Sequence, residues 1–213
     1  MTRQGSVSTK GVRPLSPFEC YDDADLRMLI DEHPLAWVTA RGGKGLEASL
    51  LPLIGIYDGD GRLIELIGHL ARRNPLHLAL AQDTSATILF RGPEGYVSPE
   101  QAGLRDWAPT WNYAQARVNA DIVFDEAATE QSLAVLIMAM ERSRPDPWST
   151  TELGERYRGM LGAIIGFRAR PTAIAAKFKL GQDERIDTLR AILDATADPA
   201  LRRWMAHFNR SRL

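Results

Sequence analysis

The sequence predicts a mainly β fold with peripheral helices (α+β), built as an antiparallel barrel that is closed or half open. Three observations predict it. Strand-like runs follow one another through short Gly-rich turns between Leu35 and Leu70. These runs outnumber the helical stretches that could link them as parallel βαβ units. A long stretch from Thr110 to Asp125 alternates apolar and polar residues, with Val118, Ala120, Ile122 and Phe124 on one face.

The elements follow in order. Asp22 or Asp23 caps a helix running to Glu32, with Leu26, Leu29 and Ile30 at helical spacing and His33-Pro34 as its stop. A strand from Leu35 to Ala40 turns at Gly42-Gly43. A second, from Glu47 to Tyr57, turns at Asp58 to Gly61, and a third runs from Arg62 to Leu70. Asn74 and Pro75 then take the N-cap and first position of a short helix, the favoured place for each. Ser85 to Gly92 reads as a buried strand broken at Gly92-Pro93, with a short strand after it. Gln101 to Pro109 reads as a loop. After the long strand come an amphipathic helix ended by Pro145 and Pro147, and a hairpin or bent strand pair around Pro171. Two short helices split at Asp198-Pro199 end the chain. The expected organisation is a frayed tail over residues 1–12, a barrel domain over 13–182, and a helical extension over 183–213 packed on the barrel.

Composition narrows the function. A hydrophobic share of 45% and a charged share of 25% suit an ordinary globular core. The net charge of −1 lacks the basic footprint of a protein that grips DNA phosphates unaided. Cys20 is the one cysteine, so no intrachain disulfide forms, and a reducing, cytoplasmic setting is expected. No apolar run reaches the roughly 20 residues of a membrane span, and the N-terminus carries no signal-peptide pattern. The four histidines are scattered with no ligand spacing, so no metal site is expected. No GxGxxG, GxxxxGK[ST], HExxH, CxxC or GxSxG motif is present.

Three polar clusters remain. In Gly68-His69-Leu70-Ala71-Arg72-Arg73-Asn74-Pro75, a strand hands over to a helix, and the two arginines at a helix start make a pocket for a phosphate. Alternatively, both arginines are solvated and Asn74 only caps the helix. In Pro109-Thr110-Trp111-Asn112-Tyr113, aromatics flank an amide that could stack on a planar ring and bond its edge; a core Trp and Tyr is the plainer reading. In Ala176-Lys177-Phe178-Lys179-Leu180-Gly181-Gln182, Lys177 and Lys179 share one strand face, facing either solvent or an anion.

At these clusters the chain resembles the PaiB-type family of FMN-binding negative transcriptional regulators. The resemblance rests on Ser49-Leu50-Leu51-Pro52-Leu53, the Gly68 to Pro75 stretch, and Phe90-Arg91-Gly92-Pro93-Glu94-Gly95-Tyr96-Val97-Ser98-Pro99. Ala108-Pro109-Thr110-Trp111-Asn112-Tyr113 and Lys177 to Gln182 complete it. It runs from about Pro34 to Leu193. It implies an antiparallel split β-barrel of the FMN-binding type, related to pyridoxamine-phosphate-oxidase-like flavin proteins, that pairs as a homodimer. In that wider group basic residues at the strand-to-helix turn meet the FMN phosphate. The implied cofactor-binding set is Ser49, Leu50, Leu51, His69, Arg72, Arg73, Asn74, Trp111, Asn112, Lys177, Lys179 and Gln182, with no catalytic residue assigned. The family pattern has histidine where this chain has Leu50 and Arg117, Trp-Tyr where it has Gln101-Ala102, and serine at Gly181. The implied function is flavin-dependent redox or sensing, as an FMN-dependent oxidoreductase if an enzyme. The alternatives are a cofactor-free transcriptional regulator, with DNA as a partner by family name only, and a haem-handling split barrel with His69 or His207 as ligand.

Overall fold

The computed structural model describes residues 16–43, 45–127 and 129–213; the expected tail over 1–12 lies outside them. A 3-10 turn, Pro17–Glu19, leads into α1 (Asp23–Glu32). Asp22 caps α1: its carboxylate accepts from the Asp25 N–H at 2.9 Å, and Asp25 returns the contact to the Asp22 N–H at 3.1 Å. The helix buries Leu26, Leu29 and Ile30.

Among the described residues seven strands follow: β1 (Leu35–Gly42), β2 (Gly45–Pro52), β3 (Ile54–Tyr57), β4 (Leu63–Ala71), β5 (Ser85–Val97), β6 (Thr110–Phe124) and β7 (Ile164–Lys179). Helix α2 (Pro75–Gln82) lies between β4 and β5. Helices α3 (Thr129–Glu141) and α4 (Arg156–Leu161) lie between β6 and β7, and α5 (Ile186–Ala195) and α6 (Pro199–Phe208) close the chain. All pairings are antiparallel, in the order β2-β1-β5-β6-β7-β4-β3. The two ends of that order, β2 and β3, are separated in sequence by Leu53 alone, which is fully buried and donates its N–H to the Pro34 carbonyl. One residue thus joins both sheet edges, so the sheet must curl round on itself: this is a split barrel. Val38, Ile88, Phe90, Val118, Leu66 and Phe167 fill its interior.

Three elements differ from the sequence expectation, each for a backbone reason. The single strand expected over Glu47 to Tyr57 is β2 and β3 on opposite edges, because the chain changes partner at Pro52-Leu53. The break expected at Gly92-Pro93 is a bulge inside a continuous β5, where the register shifts between Arg91 and Glu94 and absorbs a residue with no N–H. The hairpin expected around Pro171 is one 16-residue strand. Pro171 sits beside the register shift at Asn119/Ala120, just beyond Ala169, where the β4 ladder ends, so no ladder bond on that side needs its missing donor.

Tight packing fixes the helices. A Cβ on Gly166 of β7 would lie 2.8 Å from both Ser132 Oγ and Thr129 Cα of α3. The backbone of α3 therefore sits directly on this strand, and Gly166 donates its N–H to Thr129 Oγ1 at 3.1 Å. Gly166→Ala is expected to cost about 1–3 kcal/mol through overpacking, read as a lower urea midpoint.

At the other end α6 clamps onto α1. Trp204 is fully buried, stacks on Phe178 at 6.0 Å and donates Nε1–H to Glu32 at 2.9 Å; Arg203 makes two 2.7 Å bonds to the same carboxylate. The Arg203 guanidinium holds the Glu32 carboxyl below its ordinary 4.5, so this pair stabilises the fold above that pH and stops doing so as acid protonates the carboxylate. Glu32→Gln is expected to cost about 1 kcal/mol at pH 7, with the gap from wild type closing as the pH falls below 4.5 in parallel denaturant titrations.

Candidate cofactor site on the barrel edge and outer face

The hand-over from β4 to α2 builds the first part of the site. Asn74 caps α2, its Oδ1 accepting from the Leu76 N–H at 3.0 Å, while its amide donates to Ser49 Oγ of β2 at 2.9 Å. The His77 N–H goes to the Asn74 carbonyl, and Pro75 has none. The first amides of α2 are therefore already engaged, and the helix start offers its dipole rather than free donors.

The two arginines have separate duties. Arg72 forms a two-pronged ion pair with Glu126 and donates Nε–H to the Gly162 carbonyl at 3.0 Å. That guanidinium pulls the Glu126 carboxyl below its ordinary range. Arg73 is exposed and forms no ion pair or hydrogen bond among the described residues. The free cation at this helix start is Arg73.

Beside it, β2 is an edge strand of the sheet. Its outer edge carries unpaired backbone donors and acceptors, and its side chains alternate, with Leu51 buried and Leu50 45% exposed. Leu50 begins a row across the outer face. Register places Leu50 beside Trp37, Trp37 beside Leu89, Leu89 beside Arg117 and Arg117 beside Ala175. Trp37 is 50% exposed and Leu89 42%. A cavity of about 480 Å³ opens here, lined by Trp37, Leu89, Arg117, Gln115, Lys177 and Glu19 among others. Arg117 forms no ion pair among the described residues.

The remaining sequence-predicted residues lie elsewhere. Trp111 is on the same outer face, 54% exposed and edge-on to Tyr96 at 5.9 Å, but six residues along β6 from Arg117. That is about 20 Å along the strand from the row containing Leu50. Lys179 lies at the same end and donates to Thr110 and to the Trp111 carbonyl; with Lys177 it flanks the Phe18 ring at 5.9 Å. Asn112 points inward, buried against Met205 Sδ at 3.5 Å. Gln182 ties off the end of β7, accepting from the Leu180 N–H and donating to the Phe178 carbonyl. His69 lies under α3, away from both groups, and burial pushes its imidazole below the ordinary value. One protomer thus holds Ser49, Leu50, Leu51, Arg73 and Asn74 together and keeps Trp111 and Lys179 apart from them, while Lys177 lines the far side of the cavity on the Leu50 row.

Sequence reasoning missed Trp37 and Leu89, and met Arg117 only as a position where the family pattern has histidine. A signal existed: the alternation that buries Ala36, Val38 and Ala40 puts Leu35 and Trp37 outside, and large apolar residues at outward positions mark a surface awaiting cover.

Residues 15–173 match the family model described as "Putative FMN-binding domain". The chain belongs to this FMN-binding family. The match spans most of the barrel, and FMN is the cofactor that membership gives the chain. No curated protein matches it in sequence. Among solved structures it is similar to the FAD and heme binding protein from Mycobacterium smegmatis, at 20% identity and a TM-score of 0.57, over 79% of this chain and 77% of that one. It is also similar to the flavocytochrome Anf3 from Azotobacter vinelandii (15%, TM-score 0.54, 79% and 73%). A third is a putative 5-nitroimidazole antibiotic resistance protein from Bacteroides thetaiotaomicron (12%, TM-score 0.54, 74% and 84%). At these identities the likeness is one of fold. The donors at the edge fit the family's cofactor: Arg73 and the second N–H of the Asn74 amide, the first being given to Ser49, suit phosphate oxygens, and the β2 edge suits a ring with alternating donors and acceptors. Among the described residues no helix is long and apolar enough to cross a membrane, and no cluster of His, Cys, Asp and Glu could hold a metal.

Proposed function

We propose that the chain works as a homodimeric FMN protein whose two cofactor sites each draw residues from both protomers, with a flavin-dependent redox or sensing role of the PaiB type. The observation that carries this is the division of the site. A phosphate monoester carries roughly −1.5 to −2 charge at pH 7. Arg73 supplies one positive charge at the start of α2, and Arg72 is held by Glu126. The cations that would complete the neutralisation, Arg117, Lys177 and Lys179, lie on the outer face with Trp37, Leu89 and Trp111. An apolar face of this extent suits an isologous interface, in which a two-fold axis carries one protomer's β6–β7 end to the other's β2 edge.

In this reading FMN supplies the electron chemistry, and the protein's own residues bind and orient it. Arg73 and Asn74 hold the phosphate; the β2 edge and Leu50 line the ring; the partner's outer face excludes water. No side chain is assigned as an acid or base. A regulatory role would act through the cofactor, because a net charge of −1 lacks the basic footprint of a protein that grips DNA phosphates unaided.

The test is the absorption spectrum of the purified protein with its mass in solution. A flavin spectrum that survives gel filtration on a dimer supports the proposal. A Soret band, or colourless protein that ignores added FMN but shifts DNA at about 0.15 M salt, would overturn it.

A further inference from the structure

A second cavity lies on another side of the barrel. The segment between β6 and β7, residues 125–163, folds as a roof over the outer face of β4 and β7. It is pinned at both ends by one residue, since Arg72 grips Glu126 at its start and the Gly162 carbonyl near its finish. Tyr157 O–H donates to Glu130 at 2.8 Å, and the Trp148 N–H donates to Glu141 at 3.1 Å, which hold the middle. Beneath the roof is a cavity of about 260 Å³ lined by His69, Ile137, Trp148, Tyr157, Met160 and Ile164 among others. It shares no lining residue with the cavity at Trp37, and none of its lining residues belongs to the Ser49, Arg73 and Asn74 group.

The lining is apolar except for the Tyr157 hydroxyl, the Trp148 indole N–H and His69. The Tyr157 hydroxyl is taken by Glu130. His69 Nδ1 is buried with no hydrogen-bond partner among the described residues and has no open surface toward the cavity; the other ring nitrogen, Nε2, also forms no hydrogen bond among them and is the one a guest could reach. An orphaned buried nitrogen costs about 1–3 kcal/mol unless something pairs with it, and Gly166, beside His69 in the sheet, has no side chain to do so. The volume is below the roughly 300–1,000 Å³ of pockets for drug-sized ligands, which suits a single small ring better than FMN or a haem. Apolar walls penalise a charged guest, and burial keeps the imidazole neutral, so it offers one donor and one acceptor rather than a charge. Trp148, Tyr157 and the Met160 thioether favour an aromatic face.

We propose that this cavity binds a small, uncharged aromatic molecule carrying one hydrogen-bonding group, with His69 as its polar anchor. The site is separate from the FMN crevice and stands whether or not that crevice binds flavin.

Calorimetric titration of the full chain with p-cresol, toluene and benzoate tests it. p-Cresol is expected to bind about tenfold more tightly than toluene, the worth of one hydrogen bond to a buried partner, and benzoate not at all. Ile137→Trp, which fills the cavity, is expected to abolish binding of both neutral rings. His69→Phe is expected to keep toluene and lose the preference for p-cresol. Absence of p-cresol binding to the wild type, binding that survives Ile137→Trp, or equal affinity for benzoate would overturn the proposal.

Discussion

Leu89→Glu is expected to leave the chain monomeric and to weaken FMN binding by about a hundredfold or more, while the barrel stays folded. Leu89 lies in the exposed row between Trp37 and Arg117, on the outward side of β5. In the monomer a glutamate there meets solvent and costs the fold little. In a two-fold interface it appears twice and loses its water, at ~3–5 kcal/mol for an uncompensated buried charge. Sedimentation velocity reads the mass and flavin fluorescence reads the affinity. A dimer that persists, or a monomer that binds FMN normally, would contradict a shared site. Complementation sharpens the test. Arg73→Glu breaks the phosphate end of one protomer and Trp111→Ala the outer face of the other, so chains carrying one change each are expected to bind poorly alone. Mixed and re-paired, half the dimers become hybrids with one intact site, restoring about a quarter of the wild-type sites. Recovery of none would place both residues in the same protomer's site.

The residues explain which parts of this were legible from sequence. Capping gave α1 and α2 to within a residue, because Asp22 and Asn74 act through contacts at most three residues away. The alternation of β6 was equally plain. The splitting of β2 from β3 was not, because it depends on which distant strands each half pairs with, and Pro52-Leu53 reads locally as a continuous apolar run. The stretch from Pro145 to Met160 shows no legible element because its helices are short and their apolar residues face a cavity instead of following a helical period. Within the site, the cluster around Asn74 was found because strand end, cap and arginines are adjacent in sequence. The different duties of Arg72 and Arg73 were not visible, since Glu126 is 54 residues from Arg72 and nothing local marks it as a partner. The inward turn of Asn112 beside the outward Trp111 follows from strand alternation, which a cluster read as one patch overlooks.

That separation of duties yields the second large effect. Arg73→Glu is expected to weaken FMN binding by about a hundredfold, with the melting temperature close to wild type. A charge-assisted bond to phosphate is worth about 1.5–3 kcal/mol, and reversing the sign adds repulsion at the same place. The fold is spared because Arg73 is exposed and forms no ion pair or side-chain hydrogen bond among the described residues. Arg72→Ala is expected to show the reverse pattern. It releases Glu126 and the Gly162 carbonyl, loosens residues 125–163, and lowers the melting temperature, with a smaller change in FMN affinity. Raising the salt concentration should weaken FMN binding to the wild type more than to Arg73→Glu, where screening also relieves the introduced repulsion. If instead Arg72→Ala loses FMN and Arg73→Glu retains it, the phosphate must displace Glu126 on binding, and the cation at the helix start would be switched by an ion pair rather than standing free.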